Sequence, residues 1–296
     1  MTALALEIGS GQFAASLIAD DVEEDEIRRA PIPAHGAWNG CLNLLREAAA
    51  DREVTSLGIA CPGPIDMAAG LVAPAEIDEW QTGFGILEAA RREFPAASVR
   101  LALDGVCFAV AEHNFGATHA VLDSLALVVS DRIAAGVMVG GCSVVGRTGN
   151  AGNIGHLLVP GFDEICSCGG RGCLEAVAGG ASVVRWARAQ GWAGTTVSEL
   201  IDETSPGDEV LTAALGRAGT ALGRAIASVA ALLDIDTVVV GGVLAGAGPA
   251  LWEPLGAAVT AHGRLGYLSG LRVVPSDLGQ LGVLAGAGVL ALTAQP

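Results

Sequence analysis

The sequence predicts a mixed α/β protein made of two units that share one pattern. Its 296 residues suffice for two domains of ordinary size. Hydrophobic residues make up 51% of the chain and charged residues 16%, so the chain can bury sizeable cores. Twice along the chain, a strand–turn–strand pattern is followed by alternating strands and helices, which is typical of α/β folds.

The first series of elements occupies residues 1–116. Short aliphatic and β-branched runs bounded by glycine predict strands, and longer amphipathic stretches predict helices. The proline-rich turn at 62–64 ends one strand abruptly. The predicted strands are Leu4–Leu6, Ala14–Ile18, Leu57–Cys61 and Val99–Leu103, and the predicted helices are 37–50, Phe84–Phe94 and Val106–Phe115.

The second series occupies residues 117–284 and carries the longest predicted helix. A terminal helix at about 285–296 follows it, and we expect that helix to return to the first lobe. The predicted strands are Leu125–Val129, Gly136–Val139, Ser143–Val145, Thr237–Val240 and one beginning at Val273, and the predicted helices are Asp208–Asp234 and one starting at Pro249.

The charge balance restricts the partners of the chain. There are 32 acidic residues against 16 basic ones, giving a formal net charge of −16, and every basic residue is arginine. An acidic field of this size argues against nucleic acid or an anionic membrane as partner. Without lysine, the chain has neither Schiff-base chemistry nor a Walker A phosphate site.

Three sequence features predict a cytoplasmic protein. The longest uncharged run, Leu278–Pro296, is rich in glycine and contains Gln280, which favours a packed helix over a membrane span. Glu7 interrupts the apolar N-terminus, and no basic region precedes it, so we expect no signal peptide. Seven cysteines, an odd number, favour a reducing compartment.

A histidine followed by three cysteines is the most specific motif of the sequence. The stretch GHLLVPGFDEICSCGGRGCLE contains His156, Cys166, Cys168 and Cys173. Three thiolates and one neutral imidazole complete a tetrahedral zinc site, and the interleaved glycines let the backbone turn around the metal. Because no coordination position is left open, the motif predicts a structural zinc rather than a catalytic one.

The zinc motif, H-x9-C-x-C-G-x-x-G-C-L-E, resembles the signature of the ROK family of repressors, open reading frames and kinases. The segments IACPGPID, LDGVCFAVAEHNFGA, NAGNIGH and VVVGGVLAGAG are similar to further segments of that family, so the resemblance covers almost the whole chain. It implies the actin-like, two-lobed fold of hexokinases, built from ribonuclease H-like repeats.

The resemblance also implies an activity and an assembly. The family's enzymes phosphorylate hexoses or N-acetylhexosamines with ATP and Mg²⁺, and its members form homodimers through the second lobe. The family's repressors add an N-terminal helix-turn-helix. This chain begins directly at the first predicted strand, so we expect a small sugar-like ligand and no nucleic-acid partner.

The resemblance assigns roles to individual residues. Asp104, between a strand and a helix, matches the family's catalytic aspartate, although an aspartate at that place also caps a helix. Glu175 matches the acceptor of a sugar hydroxyl, and His156 faces the sugar as well as the zinc. Asn153, which replaces the glutamate of A-G-E-I-G-H, and Gly63 in the proline–glycine turn complete the substrate-binding positions.

The nucleotide-binding segments implied by the resemblance depart from the family pattern. Glu7, Gly9 and Gly11 stand in EIGSGQ, where the family has a first phosphate loop D-x-G-G-T-K, so a threonine hydroxyl and a lysine charge are missing. Gly241 and Gly242 keep the turn on the adenosine side.

The second phosphate loop is altered more strongly. The family has G-T-G-x-G-G-G, and this chain has SDRIAAG, which ends at Gly136. Ser130 and Arg132 replace glycines whose backbone would approach phosphate, and Asp131 would repel a polyphosphate that Arg132 could attract.

Three functions therefore stay open at the level of sequence. The first is an ATP-dependent kinase of a sugar, aminosugar or cyclitol, with Asp104 as general base. The second is a degenerate ROK protein that binds a sugar without phosphorylating it, which the altered phosphate loops favour. The third is acid–base chemistry other than phosphoryl transfer on a sugar-like ligand.

Overall fold

The computed structural model describes residues 2–18, 26–204 and 207–293 and divides them into two compact units. The first unit contains residues up to 111 together with 143–152 and 281–293. The second unit contains 112–142 and 153–280. Residues 143–152 therefore belong to the first unit, although they follow the predicted boundary at 116. Asn150 ties them to it, because its Oδ1 accepts a hydrogen bond from the backbone N–H of Ile65 and its Nδ2 donates to the carbonyl of Ile65.

A five-stranded sheet forms the centre of the first unit. Its strand order is β3-β2-β1-β4-β7, with an antiparallel meander β3-β2-β1 followed by the parallel strands β4 and β7. A two-stranded ribbon, β5-β6, lies between β4 and β7 in the chain. The strands are β1 (Ala3–Ile8), β2 (Gln12–Ile18), β3 (Arg28–Pro31), β4 (Ser56–Cys61), β5 (Ile65–Asp66), β6 (Leu71–Val72) and β7 (Ser98–Leu103).

The second unit contains a sheet of the same order, β10-β9-β8-β11-β12. Strand β9 is antiparallel to β8, and β11 and β12 continue the sheet in parallel. The two sheets therefore repeat one arrangement, as the α/β pattern predicted. The strands are β8 (Ser124–Val129), β9 (Ile133–Val139), β10 (Cys142–Ser143), β11 (Thr237–Gly241) and β12 (Arg272–Pro275).

Helices cover the sheets and bury their apolar faces in one large core per unit. The longest helix, α7, packs along α8 and forms much of the second core. The helices are α1 (Ala37–Ala49), α2 (Ile86–Glu93), α3 (Asp104–Phe115), α4 (Leu174–Ala178), α5 (Gly180–Ala189), α6 (Val197–Glu203), α7 (Glu209–Leu233), α8 (Pro249–His262) and α9 (Gly282–Leu292).

Several elements are added or moved relative to the prediction, including the ribbon β5-β6. Strand β3, which the sequence pattern did not predict, pairs with β2 although it holds two arginines and a proline. It can do so because it is an edge strand, where charges and proline are tolerated. Helix α3 begins at Asp104 rather than at Val106, and the predicted strand 143–145 is observed as Cys142–Ser143.

Among the described residues, none of the helices combines the length and the apolar character that crossing a bilayer requires.

Candidate active site and metal centre

Two carboxylates meet at the carboxyl end of the parallel strands of the first unit. Glu7 on β1 pairs with Ala60 on β4, which pairs in turn with Ala102 on β7. Asp104 follows directly after β7. Because parallel strands end at the same edge of a sheet, this register places both acids at one edge, where α/β proteins hold their ligands.

The surroundings of Glu7 disfavour its charged form. Burial, followed by the negative charge of Asp104, raises the pKa of Glu7 to about 7. The charge of Arg29 and a hydrogen bond from the backbone N–H of Leu284, in the first turn of α9, act in the opposite direction. Arg29 is opposite Ala14 on β2, which is opposite Glu7, so the three side chains share one face of the sheet.

Asp104 is half-buried and is the first residue of α3. Its Oδ1 accepts a hydrogen bond of 2.7 Å from the backbone N–H of Gly105. The preceding Leu103, the last residue of β7, is only 2% exposed. A fixed, partly desolvated carboxylate at a strand end has the geometry of a general base.

The glycines predicted beside these acids lie in turns. The backbone N–H of Gly9 donates to the carbonyl of Gln12 at 2.9 Å, which closes the β1–β2 hairpin that also contains the exposed Gly11. Gly63 lies in the turn after β4 and precedes a cis peptide bond to Pro64. Of the predicted site residues, the first unit therefore contains Glu7, Gly9, Gly11, Gly63 and Asp104.

In the second unit, the turn between β8 and β9 is occupied by contacts with its own surroundings. The Ser130 hydroxyl accepts a hydrogen bond of 3.2 Å from the backbone N–H of Val243. The carbonyls of Ser130 and Asp131 accept the N–H groups of Gly180 and Ala181 at the start of α5, at 2.8 and 3.1 Å. The backbone N–H groups of Val243, Gly180 and Ala181 are therefore already hydrogen-bonded to the β8–β9 turn.

The turn after β11 requires glycine at one position. Gly241 is the last residue of β11, and Gly242 follows with a φ of +88°. A Cβ at Gly242 would lie 2.6 Å from the carbonyl oxygen of Val129, so only glycine allows the two turns to approach. The predicted Gly136, by contrast, lies inside β9, where it is buried and opposite Ala126 rather than in a turn.

Arg132 contacts Glu175, which is only 9% exposed. The Nε atom of Arg132 lies 3.5 Å from Oε1 of Glu175, and the backbone N–H of Ile133 donates to Oε2 at 2.7 Å. The turn that the resemblance assigned to phosphate is therefore attached to the residue that it assigned to sugar. The ion pair and the backbone hydrogen bond together hold the Glu175 carboxylate against the β8–β9 turn.

His156 and Asn153 lie beside Glu175. A Cβ at Gly155 would be 3.3 Å from Oε2 of Glu175 and 3.6 Å from Oδ1 of Asn153. Burial and then the charge of Arg132 lower the pKa of His156, so its imidazole is neutral and suited to bind a metal. The structure thus brings Arg132, Glu175, His156 and Asn153 together in the second unit.

The histidine and the three cysteines of the zinc motif form one cluster. Their ligand atoms all lie within 4.8 Å of one another. The Sγ atoms of Cys168 and Cys173 are 3.8 Å apart, and Sγ of Cys166 is 3.7 Å from Nδ1 of His156. A tetrahedron with Zn–S bonds of about 2.3 Å has edges of about 3.8 Å, so the cluster fits one zinc ion.

The backbone around the cluster favours the thiolate of Cys168, whereas burial raises the pKa of the Cys173 thiol to about 12. The N–H of Gly170 points at Sγ of Cys168 at 3.4 Å, and this hydrogen bond lowers the pKa of the Cys168 thiol. Gly172 has a φ of +72°, and a Cβ there would lie 2.8 Å from the carbonyl oxygen of Phe162. The segment can therefore turn tightly between the ligands only with glycine at this position.

An open cavity of about 750 Å³ lies in the second unit beside the β8–β9 turn. Asp131 lines it together with one face of α5 and the segment that follows this helix. The side chains that could contact a ligand there include two arginines and an indole, from Arg185, Arg188 and Trp192. The volume is in the usual range for small-molecule sites.

A family model described as the ROK family matches residues 3–294 of the chain. The chain belongs to the ROK family.

Relatives of this ROK protein include kinases and repressors. It is 31% identical to the N-acetylmannosamine kinase of Escherichia fergusonii over 82% of this chain and 83% of the relative. It is 27% identical to NagC of Escherichia coli K12, a DNA-binding transcriptional dual regulator, over 77% of this chain. The match spans only 58% of the length of NagC.

Solved structures of the family share the fold. A ROK glucokinase from Streptomyces griseus, in complex with glucose and AMPPNP, superposes with a TM-score of 0.85 at 22% identity, covering 98% of this chain and 99% of the other. The predicted fold class, a hexokinase-like ROK fold, is confirmed.

Several residues of the ROK protein that hold or line these regions were not predicted from the sequence. Asn150 anchors β5 through a pair of hydrogen bonds, but nothing in NAGNIGH indicates a partner so far away in the chain. Arg185 and Arg188 are three positions apart on an amphipathic helix, which is also the pattern of an ordinary solvated face. A search for paired arginines in a chain of net charge −16 would have found them.

Proposed function

We propose that this ROK protein transfers the γ-phosphoryl group of ATP to a hydroxyl of a sugar, aminosugar or cyclitol, with Asp104 as general base. The observation that carries the proposal is the pair of Glu7 and Asp104 at the edge of three parallel strands. The kinase among its relatives and the glucokinase structure with bound glucose and AMPPNP support the substrate class and the nucleotide.

In this mechanism Asp104 orients the acceptor hydroxyl and takes its proton. As the proton moves to the carboxylate, the hydroxyl oxygen forms a bond to the γ-phosphorus. The bond between that phosphorus and the β–γ bridging oxygen breaks, and ADP leaves. The hydrogen bond from Gly105 holds Oδ1 of Asp104 and so restricts the orientation of the carboxylate.

Glu7 would hold the Mg²⁺ that accompanies ATP. Carboxylate oxygens are ligands that Mg²⁺ prefers, and a divalent cation relieves the repulsion between Glu7 and Asp104. When bound, the ion neutralises charge on the phosphates. Without it, burial and the charge of Asp104 raise the pKa of Glu7 to about 7, so Glu7 holds its proton at mildly acidic pH.

Replacing Glu7 by glutamine should change how stability depends on pH. The native pKa of about 7 exceeds the ordinary 4.5, so the folded protein binds the extra proton between these values and loses stability as pH rises through them. Glu7→Gln removes this loss. We expect its stability to equal that of the parent at pH 4.5 and to exceed it by about 2–3 kcal/mol at pH 8.

Urea denaturation of both proteins, without Mg²⁺, measures this difference across the pH range. Glu47→Gln, an exposed carboxylate on α1, controls for the change in net charge. Parallel stability curves for Glu7→Gln and the parent would show that Glu7 ionises normally.

We propose that the nucleotide occupies the cavity lined by Asp131, Arg185 and Arg188, since guanidinium groups suit phosphate oxygens. Mg-ATP at 100 times its Kd should stabilise the protein by about 2.7 kcal/mol. Arg185→Ala with Arg188→Ala should remove most of this gain, whereas Arg91→Ala, on an exposed part of α2, should keep it. A thermal shift series measures all three, and equal shifts would exclude this cavity.

One set of observations favours a second function, a sugar-binding ROK protein without phosphoryl transfer. Ser130 and Asp131 engage neighbouring backbone, and Arg132 contacts Glu175, so the altered turn already has partners of its own. ADP release from Mg-ATP with glucose, N-acetylmannosamine or myo-inositol decides between the two. Sugar binding without ADP release, at millimolar ATP, would support the second function and overturn the kinase.

We propose a structural zinc held by His156, Cys166, Cys168 and Cys173. The donor set and its spacing support it. The ion would fix His156, and Glu175 comes two residues after Cys173, so the zinc motif also orders these sugar-side residues.

We propose a cytoplasmic homodimer with a small-molecule substrate. Thiolate ligands persist in a reducing compartment, and the net charge of −16 disfavours nucleic acid as partner. Two exposed side chains support the dimer: Leu232 is 81% exposed, and Tyr267, whose hydroxyl donates to the carbonyl of the neighbouring Ala231, is 56% exposed. Light scattering should give twice 29.6 kDa, and Leu232→Glu should halve that mass. A parent mass of 29.6 kDa would contradict the dimer.

A further inference from the structure

Two arginines of α7 hold the segment that connects two ligands of the metal cluster. Arg217 and Arg224 are seven residues apart and so lie on one face of the helix. Arg217 forms an ion pair with Glu164, and its Cζ atom lies 5.4 Å from the centre of the Phe162 ring. Phe162 and Glu164 belong to the segment between His156 and Cys166.

Arg224 contacts the same segment from the next turns of α7. Its Nη1 donates to the carbonyl oxygen of Pro160 at 2.6 Å, and its Cζ atom lies 5.6 Å from the centre of the Phe162 ring. Phe162 is therefore in contact with two guanidinium groups. Cation–π contacts strengthen when they are partly desolvated, and the Arg217 side chain is only about one-third exposed.

Arg217 also touches a third element. Its Cζ atom lies 4.9 Å from the centre of the Trp186 ring on α5. One guanidinium thus joins α7, α5 and the ligand-bearing segment, so that its position is determined from three sides.

The segment reaches the main core of the unit through the buried Val159 and the partly buried Phe162, and its other large apolar side chains include two that are exposed. Ile165 is 68% exposed and Leu158 is 67% exposed, and the core cluster at the metal ligands consists only of Cys166, Cys173 and Ala176. Around residues 160–164, attachment to the rest of the unit therefore also depends on the polar and cation–π contacts with Arg217 and Arg224.

We propose that Arg217 and Arg224 are positioning residues for the zinc centre, holding segment 160–164 on α7 so that His156 and Cys166 stay at ligand distance. The proposal rests on the zinc site of the proposed function. Residues that support metal ligands from outside typically change metal affinity 10–100-fold when they are replaced.

The same segment offers a matched control. Arg171 forms a bidentate ion pair with Asp163, with Nε–Oδ1 and Nη2–Oδ2 distances of 2.9 and 2.8 Å. This pair is exposed and joins the segment to the loop between Cys168 and Cys173 without reaching α7, and exposed ion pairs contribute little. Arg171→Met should therefore leave the zinc centre as it is. Val229→Ala, further along α7, provides a variant that weakens the core but keeps the contacts of Arg217 and Arg224.

The test measures zinc release from the full-length, zinc-loaded protein to a chromogenic chelator, well below the melting temperature. We expect Arg217→Met, which keeps an unbranched apolar side chain, to release zinc at least about 10-fold faster than the parent. Arg224→Met should show the same direction. Arg171→Met and Val229→Ala should release zinc within about two-fold of the parent.

The outcomes separate this proposal from the zinc site itself. A parent that purifies without zinc overturns the zinc site and this proposal with it. A parent with one zinc per chain and unchanged release from Arg217→Met overturns only the role of the arginines, even if the variant melts earlier. If Arg217→Met fails to fold, Phe162→Leu, which keeps apolar volume and removes the ring, must show the faster release, and a parental rate would overturn the proposal.

Discussion

Asp104→Asn is expected to lower the rate of phosphoryl transfer by roughly 10²–10⁴-fold, the usual contribution of a positioned general base. Asparagine keeps the shape and can still accept the hydrogen bond from Gly105, but it cannot take a proton at neutral pH. We therefore expect stability to change by about 1 kcal/mol or less, mainly through the lost charge at the start of α3.

A second readout distinguishes a catalytic Asp104 from a helix cap. The charge of Asp104 raises the pKa of Glu7, so Asp104→Asn should lower it while the fold stays intact. Steady-state kinetics and a pH titration of stability measure the two effects, and Asp51→Asn, at an exposed position, serves as control. If Asp104→Asn keeps most of the turnover, Asp104 is not the base. If it mainly lowers the melting temperature, Asp104 is structural.

Removal of zinc is expected to destabilise the second unit strongly. A closed structural site contributes its binding free energy to folding, and free zinc at 1,000 times its Kd corresponds to about 4 kcal/mol. Chelation, or Cys173→Ser, should therefore lower the free energy of unfolding by about 4 kcal/mol. Elemental analysis should give one zinc per parent chain.

The control for this experiment is Cys142→Ser, because Cys142 is an exposed cysteine outside the metal cluster. It should keep both the zinc and the stability of the parent. Protein purified without chelator that contains no zinc, or a Cys173→Ser variant as stable as Cys142→Ser, would exclude a structural metal.

The metal cluster could be predicted from the sequence because its ligands are close in the chain. His156 and the three cysteines lie in one short segment, and glycines between them permit the necessary turns. The spacing alone therefore restricts the geometry. The contacts of Arg217 and Arg224 with that segment were not predictable, since both arginines belong to a helix whose sequence has an ordinary amphipathic pattern.

The role of the 130–132 turn illustrates the opposite case. The resemblance assigned Arg132 to phosphate, whereas the structure places it against Glu175. This contact depends on how the β8–β9 turn meets the start of α4, across 42 positions between Ile133 and Glu175. Side-chain partners at such a separation have no local signal in the sequence.

The α/β repeat, most of the strands and helices, the histidine–cysteine cluster and the family could be predicted from the sequence, because these depend on local periodicity and on residue types at short spacing. Three pairings became visible only in three dimensions: Glu7 lies near Asp104, Arg29 reaches the same face from an edge strand, and Arg132 contacts Glu175. Each of these pairs depends on strand order and register, which set distances and desolvation, and both arise from the packing of the whole unit.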